Sequence, residues 1–251
     1  MTATPSSPGE VNLSEVDGVR YLHFGTEWVQ GAMRIDAPFA IELEYVRRMM
    51  AWLLFVDADT VADRHAMQLG LGAGAITKFC HRILDMRCTA VEINPRVVDV
   101  CRAWFHLPPD DVCLQVVVDD AAHAIENAQW RDTVDALAVD IYDDDAAAPV
   151  LDSVETYAAC RRLLSDSGVM TVNLFGRTAQ FDRSLARIAE VFGARAVWRF
   201  RPTRAGNTIV LAQRTPMRPT LALLQQRARA IEARFGLPAR RWPRLLQVLE
   251  P

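Results

Sequence analysis

Short apolar runs open the chain at Val11–Leu13, Val19–Phe24 and Trp28–Ile35, with Asp17-Gly18 after the first and Gly25-Thr26 after the second. Asp-Gly between apolar runs predicts a tight hairpin, because both central turn positions need positive φ. The pattern therefore predicts a disordered lead over residues 1–9 and a small antiparallel β appendage over residues 10–38. Beyond Pro38 the period lengthens, and Leu43, Val46, Met50 and Leu53 fall on one helical face.

From Met67 onward strand and helix patterns alternate. Strands are expected at Met67–Leu71, Cys88–Ile93, Cys113–Val118, Ala136–Tyr142 and Val169–Phe175. Between them lie two helical stripes, Ile76, Phe79, Cys80, Ile83 and then Val97, Val98, Cys101, Trp104, Phe105, the second with Pro95 suited to its first turn. Helices are also expected near Ala121–Asn127 and Ser153–Leu164, and through Phe181, Leu185, Ile188 and Phe192. Two more strands, Ala194–Phe200 and Thr208–Gln213, are joined by a turn containing Gly206-Asn207. An amphipathic helix through Leu221, Leu224, Ala228, Ile231 and Phe235 follows. Such alternation implies an α/β fold with a doubly wound, mainly parallel, seven-stranded sheet of the methyltransferase-like Rossmann type. The last strand follows its neighbour through a tight turn and so runs antiparallel. Residues 39–214 form the Rossmann-like domain in this reading, and residues 215–251 an Arg-rich helical tail.

Composition narrows the class. With 251 residues, 51% hydrophobic and 24% charged, the chain is neither a disordered nor a disulfide-scaffold protein. No apolar run reaches the roughly 18 residues of a membrane span. Met1–Glu10 lacks the basic start and apolar stretch of a signal peptide. Five cysteines without a CxxC pair read as reduced core thiols, so a cytoplasmic location is expected. The net charge of -3 hides an asymmetry, since from Arg195 onward twelve arginines face only Glu232 and Glu250. Those arginines read first as solvated helix faces or partners of the acidic half. Neither membrane nor nucleic acid is the expected partner.

Gly70-Leu71-Gly72-Ala73-Gly74 carries the strongest chemical signal, at the end of the first parallel strand and the start of a helix. Glycines there let the backbone turn sharply and a ligand approach the main chain. Glu92 ends the next strand, where a carboxylate accepts hydrogen bonds from ribose hydroxyls. Lys78 and Phe79 stand where a dinucleotide site would favour a third glycine, so a single nucleoside fits better. Asp120, followed by Ala121, ends the third strand and suits either an adenine amino group or a helix N-cap. The fourth strand runs into Asp140-Ile141-Tyr142-Asp143-Asp144-Asp145. Such clustered carboxylates hold an amine through charge-assisted hydrogen bonds, and one of them can take its proton. An acidic loop is also commonly just solvated, which remains open for Asp144 and Asp145. The five histidines are scattered, so no metal is expected.

These residues resemble the spermidine synthase (polyamine aminopropyltransferase) family, over about Asp17 to Gln213. The stretches that carry the resemblance are Leu69–Gly74, Val91-Glu92-Ile93-Asn94-Pro95, Asp120-Ala121, Asp140-Ile141-Tyr142-Asp143 and Leu151–Tyr157 before Gly168-Val169. The resemblance implies that Gly70, Gly72, Gly74, Glu92, Asp120 and Ala121 bind the nucleoside. It implies that Asp140 helps deprotonate the attacking amine with Asp143 as a second carboxylate, Tyr142 lining the amine site, and that the protein dimerises. It also implies no permanently bound cofactor, the co-substrate being decarboxylated S-adenosylmethionine or S-adenosylmethionine itself. Three positions depart from the pattern. Ala73 stands where the family carries an acid that grips the donor amine, and Asn94 replaces an Asp. The family's Tyr-Gln/His-Glu gate matches either at Glu42 or at Tyr45, but not at both. Losing a carboxylate that pairs with an ammonium costs about 2 to 3 kcal/mol of binding, tens-fold or more in affinity. The expectation is thus a divergent, bacterial spermidine synthase-like transferase. An S-adenosylmethionine-dependent methyltransferase and a catalytically silent nucleoside or polyamine binder stay open as alternatives.

Overall fold

The computed structural model describes residues 11–25, 28–141, 151–175 and 179–250; the expected lead over residues 1–9 lies outside them. The first runs form a three-stranded antiparallel sheet of β1 (Val11–Val16), β2 (Val19–Phe24) and β3 (Gly31–Arg34). Asp17 and Gly18 turn the first hairpin with φ of 51° and 74°, as an Asp-Gly turn requires. Leu22 and Met33 from this sheet share a buried cluster with Leu71, Ala73, Val97 and Phe105. The appendage is therefore fastened onto the glycine loop.

The strands β4 (His65–Leu69), β5 (Arg87–Glu92), β6 (Leu114–Val118), β7 (Val134–Val139) and β8 (Leu164–Phe175) are parallel. They belong to an eight-stranded sheet with β9 (Val197–Phe200), β10 (Asn207–Gln213) and β11 (Leu246–Val248), in the order β11-β9-β10-β8-β7-β4-β5-β6. β10 inserts between β8 and β9 and runs antiparallel to both. Chain order reverses beside β4, so the crevice outside the carboxyl ends of β4 and its neighbours is where such sheets bind ligands.

Two features differ from the pattern-based expectation. An eighth strand, β11, comes from the tail expected to be helical; three residues are too few to show a period, and backbone pairing with β9 supplies the order. The helix expected after Pro38 is α1 (Glu44–Met49) followed by a 3₁₀ stretch over Met50–Phe55. All six residues of that stretch are buried, so it has no polar face and packs within the core with Leu224 and Ile231 of the tail helix.

The sheet is covered by α2 (Ala75–Arg82), α3 (Pro95–Trp104), α4 (Ala121–Ala124), α5 (Val154–Leu163) and α6 (Ala179–Phe192). The tail adds α7 (Leu221–Phe235) and α8 (Trp242–Leu245). Its arginines are tethers as well as solvated groups: Arg227 donates to Leu54 O at 3.0 Å, and Arg234 pairs with Asp59 at 2.5 Å. Four cysteines are buried, whereas Cys113, just before β6, is exposed and not a core thiol. Among the described residues no helix is long and apolar enough to cross a membrane.

Lys78, the sole lysine, is fully buried on α2 and donates to Phe105 O at 2.5 Å. Burial pushes its ammonium down to about 8. The unfolded chain, whose lysine holds its proton to about pH 10.4, therefore binds more protons between the two values, and stability rises with pH across that window. We expect wild-type stability to gain about 2 kcal/mol between pH 8 and pH 10 relative to Lys78→Met. Urea unfolding at a series of pH values checks this, and parallel curves for the two proteins would refute it.

Candidate active site

The loop after β4 is shaped by contacts that sidechains would obstruct. Gly70 has φ of 83°, and a Cβ there would lie 2.4 Å from Asp140 O. Its glycine lets the end of β4 press against the end of β7. On the other side, a Cβ on Gly31 would fall 2.5 Å from Ala73 Cβ and 2.6 Å from Ala73 N, so β3 lies directly on the loop. Gly72 O accepts Cys101 Sγ at 3.0 Å, and Gly74 leads into α2. Gly70→Ala is expected to lose about 3 kcal/mol or more, combining left-handed strain with a backbone clash. Denaturant titration measures it, and a loss under about 1 kcal/mol would show that the loop yields.

A residue that pattern reading missed locks the loop. Gln68, buried in β4, donates from Nε2 to Gly70 O at 2.7 Å and Leu71 O at 3.2 Å. Its Oε1 accepts from Thr77 N at 3.1 Å and Thr77 Oγ1 at 2.6 Å. The only signal was an amide inside the apolar run Met67-Gln68-Leu69.

Glu92 stands beside the same loop. Its Oε2 accepts from Leu71 N and its Oε1 from Asn94 N, both at 2.9 Å. Burial raises its carboxyl above the usual range, and these backbone N–H groups pull it part of the way back. Next to it, Ile93 is 67% exposed, and Val118 at the end of β6 is 52% exposed. Two large apolar side chains left open beside a buried acid suit the faces of a flat ring. Asp120 is the N-cap of α4, its Oδ1 accepting from Ala122 N at 2.8 Å, and Ala121 is buried behind it. Asn94 likewise caps α3 through Arg96 N at 3.0 Å.

Asp140 closes the opposite flank of the loop, its own N donating to Leu69 O at 3.0 Å. Oδ1 accepts from Asn173 Nδ2 at 2.9 Å and Oδ2 from Tyr45 Oη at 3.2 Å. Burial pushes the carboxyl up, and these two bonds draw it down. A small cleft, open to solvent, is lined by Gln30, Gly31, Tyr45, Gln68, Ala73 and Asp140 among others. Trp28 from the appendage meets Phe175 at the end of β8, edge to face at 6.5 Å. Of the two gate residues, Tyr45 reaches the cleft. Glu42 is not among its lining residues, and its carboxylate faces Arg47 at 3.4 Å. Tyr142, Asp143 and the two aspartates after them lie outside the described residues. No three His, Cys, Asp or Glu come together as metal ligands among the described residues.

One loop thus holds a buried acid on one side and a hydrogen-bonded carboxylate on the other, with a cleft between β3, α1 and β4. No family model matches the chain. A polyamine aminopropyltransferase of Neisseria meningitidis is 33% identical over 230 residues, covering 91% of this chain and 85% of the relative. The chain belongs to the polyamine aminopropyltransferase family. Solved structures share its fold. A probable spermidine synthase from Corynebacterium glutamicum superposes with a TM-score of 0.73 at 20% identity, covering 97% of this chain and 94% of that one. Human methyltransferase-like protein 13, in complex with SAH, gives 0.69 at 23% identity, covering 78% and 93%. For a polyamine aminopropyltransferase relative, the notable wall is at Ala73: 3% exposed, packed on Gly31, and apolar where the resemblance places an acid.

Proposed function

We propose that the chain transfers an aminopropyl group from decarboxylated S-adenosylmethionine, or a related sulfonium nucleoside, to an amine. The observation that carries this reading is the placement of Glu92 and Asp140 on two flanks of one glycine loop, with Leu71 N on Glu92 and the Asp140 backbone against Gly70. Glu92 would take the ribose hydroxyls, Ile93 and Val118 the purine faces, and Asp120-Ala121 the purine edge. The amine enters the cleft beside Tyr45 and Asp140, with Tyr142 and Asp143 further along the same segment. Its nitrogen lone pair attacks the sulfonium-bound CH₂, the C–S bond breaks with its electrons going to sulfur, and methylthioadenosine leaves. The proton on nitrogen passes to Asp140. Holding nitrogen in line with the carbon supplies most of the acceleration. Incubation with decarboxylated S-adenosylmethionine and putrescine tests the reading. Methylthioadenosine no higher than with Asp140→Asn would end it.

Because Ala73 is apolar, nothing acidic there selects the decarboxylated donor over intact S-adenosylmethionine, the donor that a methyl transfer would use. Calorimetric titration with both donors separates the two, and tighter binding of the intact form supports methyl transfer. The family resemblance further supports a cytoplasmic homodimer, which sedimentation would test as to its size.

A further inference from the structure

On the Oδ1 side of Asp140 two buried asparagines stand in line, Asn173 on β8 and Asn207 on β10, 4% and 9% exposed. Asn207 Nδ2 donates to Asn173 Oδ1 at 3.1 Å, and Asn173 Nδ2 donates to Asp140 Oδ1 at 2.9 Å. Asn207 is itself set by the turn before β10: its N donates to Thr203 Oγ1 at 3.1 Å, and its O accepts from Thr203 N at 2.8 Å. On the same strands Val172, Leu174, Ile209 and Leu211 fill buried positions with apolar side chains. Burying two carboxamides costs free energy unless they are hydrogen-bonded, and here they are bonded to each other and to the acid.

A carboxamide is nearly symmetric in shape but has a donor end and an acceptor end. Because Asn207 occupies Asn173 Oδ1, the end of Asn173 that faces Asp140 is the donor. An N–H aimed at Oδ1 favours the ionised carboxylate and opposes a proton on that oxygen. We propose that Asn207, acting through Asn173, is a positioning residue that keeps Asp140 ionised in the cleft. Among the described residues, Tyr45 on α1 is the titratable group that faces Asp140; Gln68 from β4 and Asn173 from β8 are uncharged. This proposal rests on the aminopropyl-transfer reading for its catalytic meaning, although not for its geometry.

Asn207→Leu keeps the branching of the side chain and removes the donor. The acid limb of its kcat/KM profile for methylthioadenosine formation should move up by about one pH unit, so activity falls about tenfold against wild type well down the acid limb and less than threefold on the plateau above it. Thr208→Val, the next residue of β10 and on the other face of the sheet, serves as the control and should leave the limb in place. A loss equal at all pH values, or a limb displaced as far by Thr208→Val, would overturn the proposal. The Asp140 carboxyl is also titrated directly by ¹³C NMR, with Asp140→Asn assigning its signal. A midpoint raised in Asn207→Leu supports the proposal even where neither protein forms methylthioadenosine, an outcome that counts against aminopropyl transfer alone. A midpoint unchanged in Asn207→Leu refutes it whatever the activity.

Discussion

Asp140→Asn lowers kcat by about 100-fold or more while leaving the affinity for methylthioadenosine within about threefold. A positioned general base contributes roughly 10² to 10⁴ in rate, and the substitution removes the base while keeping its shape. In the proposed site the nucleoside is held from the other flank of the loop, where Glu92 accepts from Leu71 N, so its binding has little reason to change. The wild-type pH profile follows from the same environment. Burial raises the Asp140 carboxyl, so activity is lost as pH falls through a value above the usual carboxylate range. That limb is absent from the residual activity of Asp140→Asn. Steady-state kinetics with isothermal titration checks both statements. A variant that loses nucleoside affinity as steeply as rate would mean that Asp140 is part of the nucleoside site.

Glu92→Gln should do the reverse, weakening methylthioadenosine binding by about 100-fold with a smaller change in kcat. Hydrogen bonds from ribose hydroxyls to a carboxylate contribute about 1.5 to 3 kcal/mol each. The substitution also sets an NH₂ against a backbone donor, because Leu71 N and Asn94 N already point at the two oxygens. One buried donor is left unpaired, at a further cost of about 1 to 3 kcal/mol in stability. Affinity and urea-unfolding measurements on one preparation separate the two effects. Unchanged affinity with reduced stability would make Glu92 a brace for the loop and nothing more.

The sequence-readable part of this site is the part built from neighbours in the chain. Glycines 70, 72 and 74 follow a strand and precede a helix, Glu92 ends the next strand, and Asp120 and Asp140 end two more. Parallel strands in such a sheet all end at one rim, so residues at strand ends meet there without further information. The Asp-Gly hairpin and the antiparallel pairing of β10 with β9 were legible for the same reason, since a tight turn leaves little choice of partner. The tail was misjudged at β11, where three residues carry no period of their own.

Pairings across long stretches of chain belong to a different class. Tyr45 reaches Asp140 over a separation of 95 residues, and only the packing of α1 decides between it and Glu42 for the cleft. Gln68, Asn173 and Asn207 look like polar interruptions of apolar strands until the strands are laid side by side. Periodicity encodes which face of an element is buried. It does not encode which atom of another element that face will meet, because the meeting depends on the order of strands and the seating of the appendage on the loop. Backbone conformation and strand ends therefore came from local chemistry, whereas the partners that set the charge and orientation of Asp140 came from the assembled sheet.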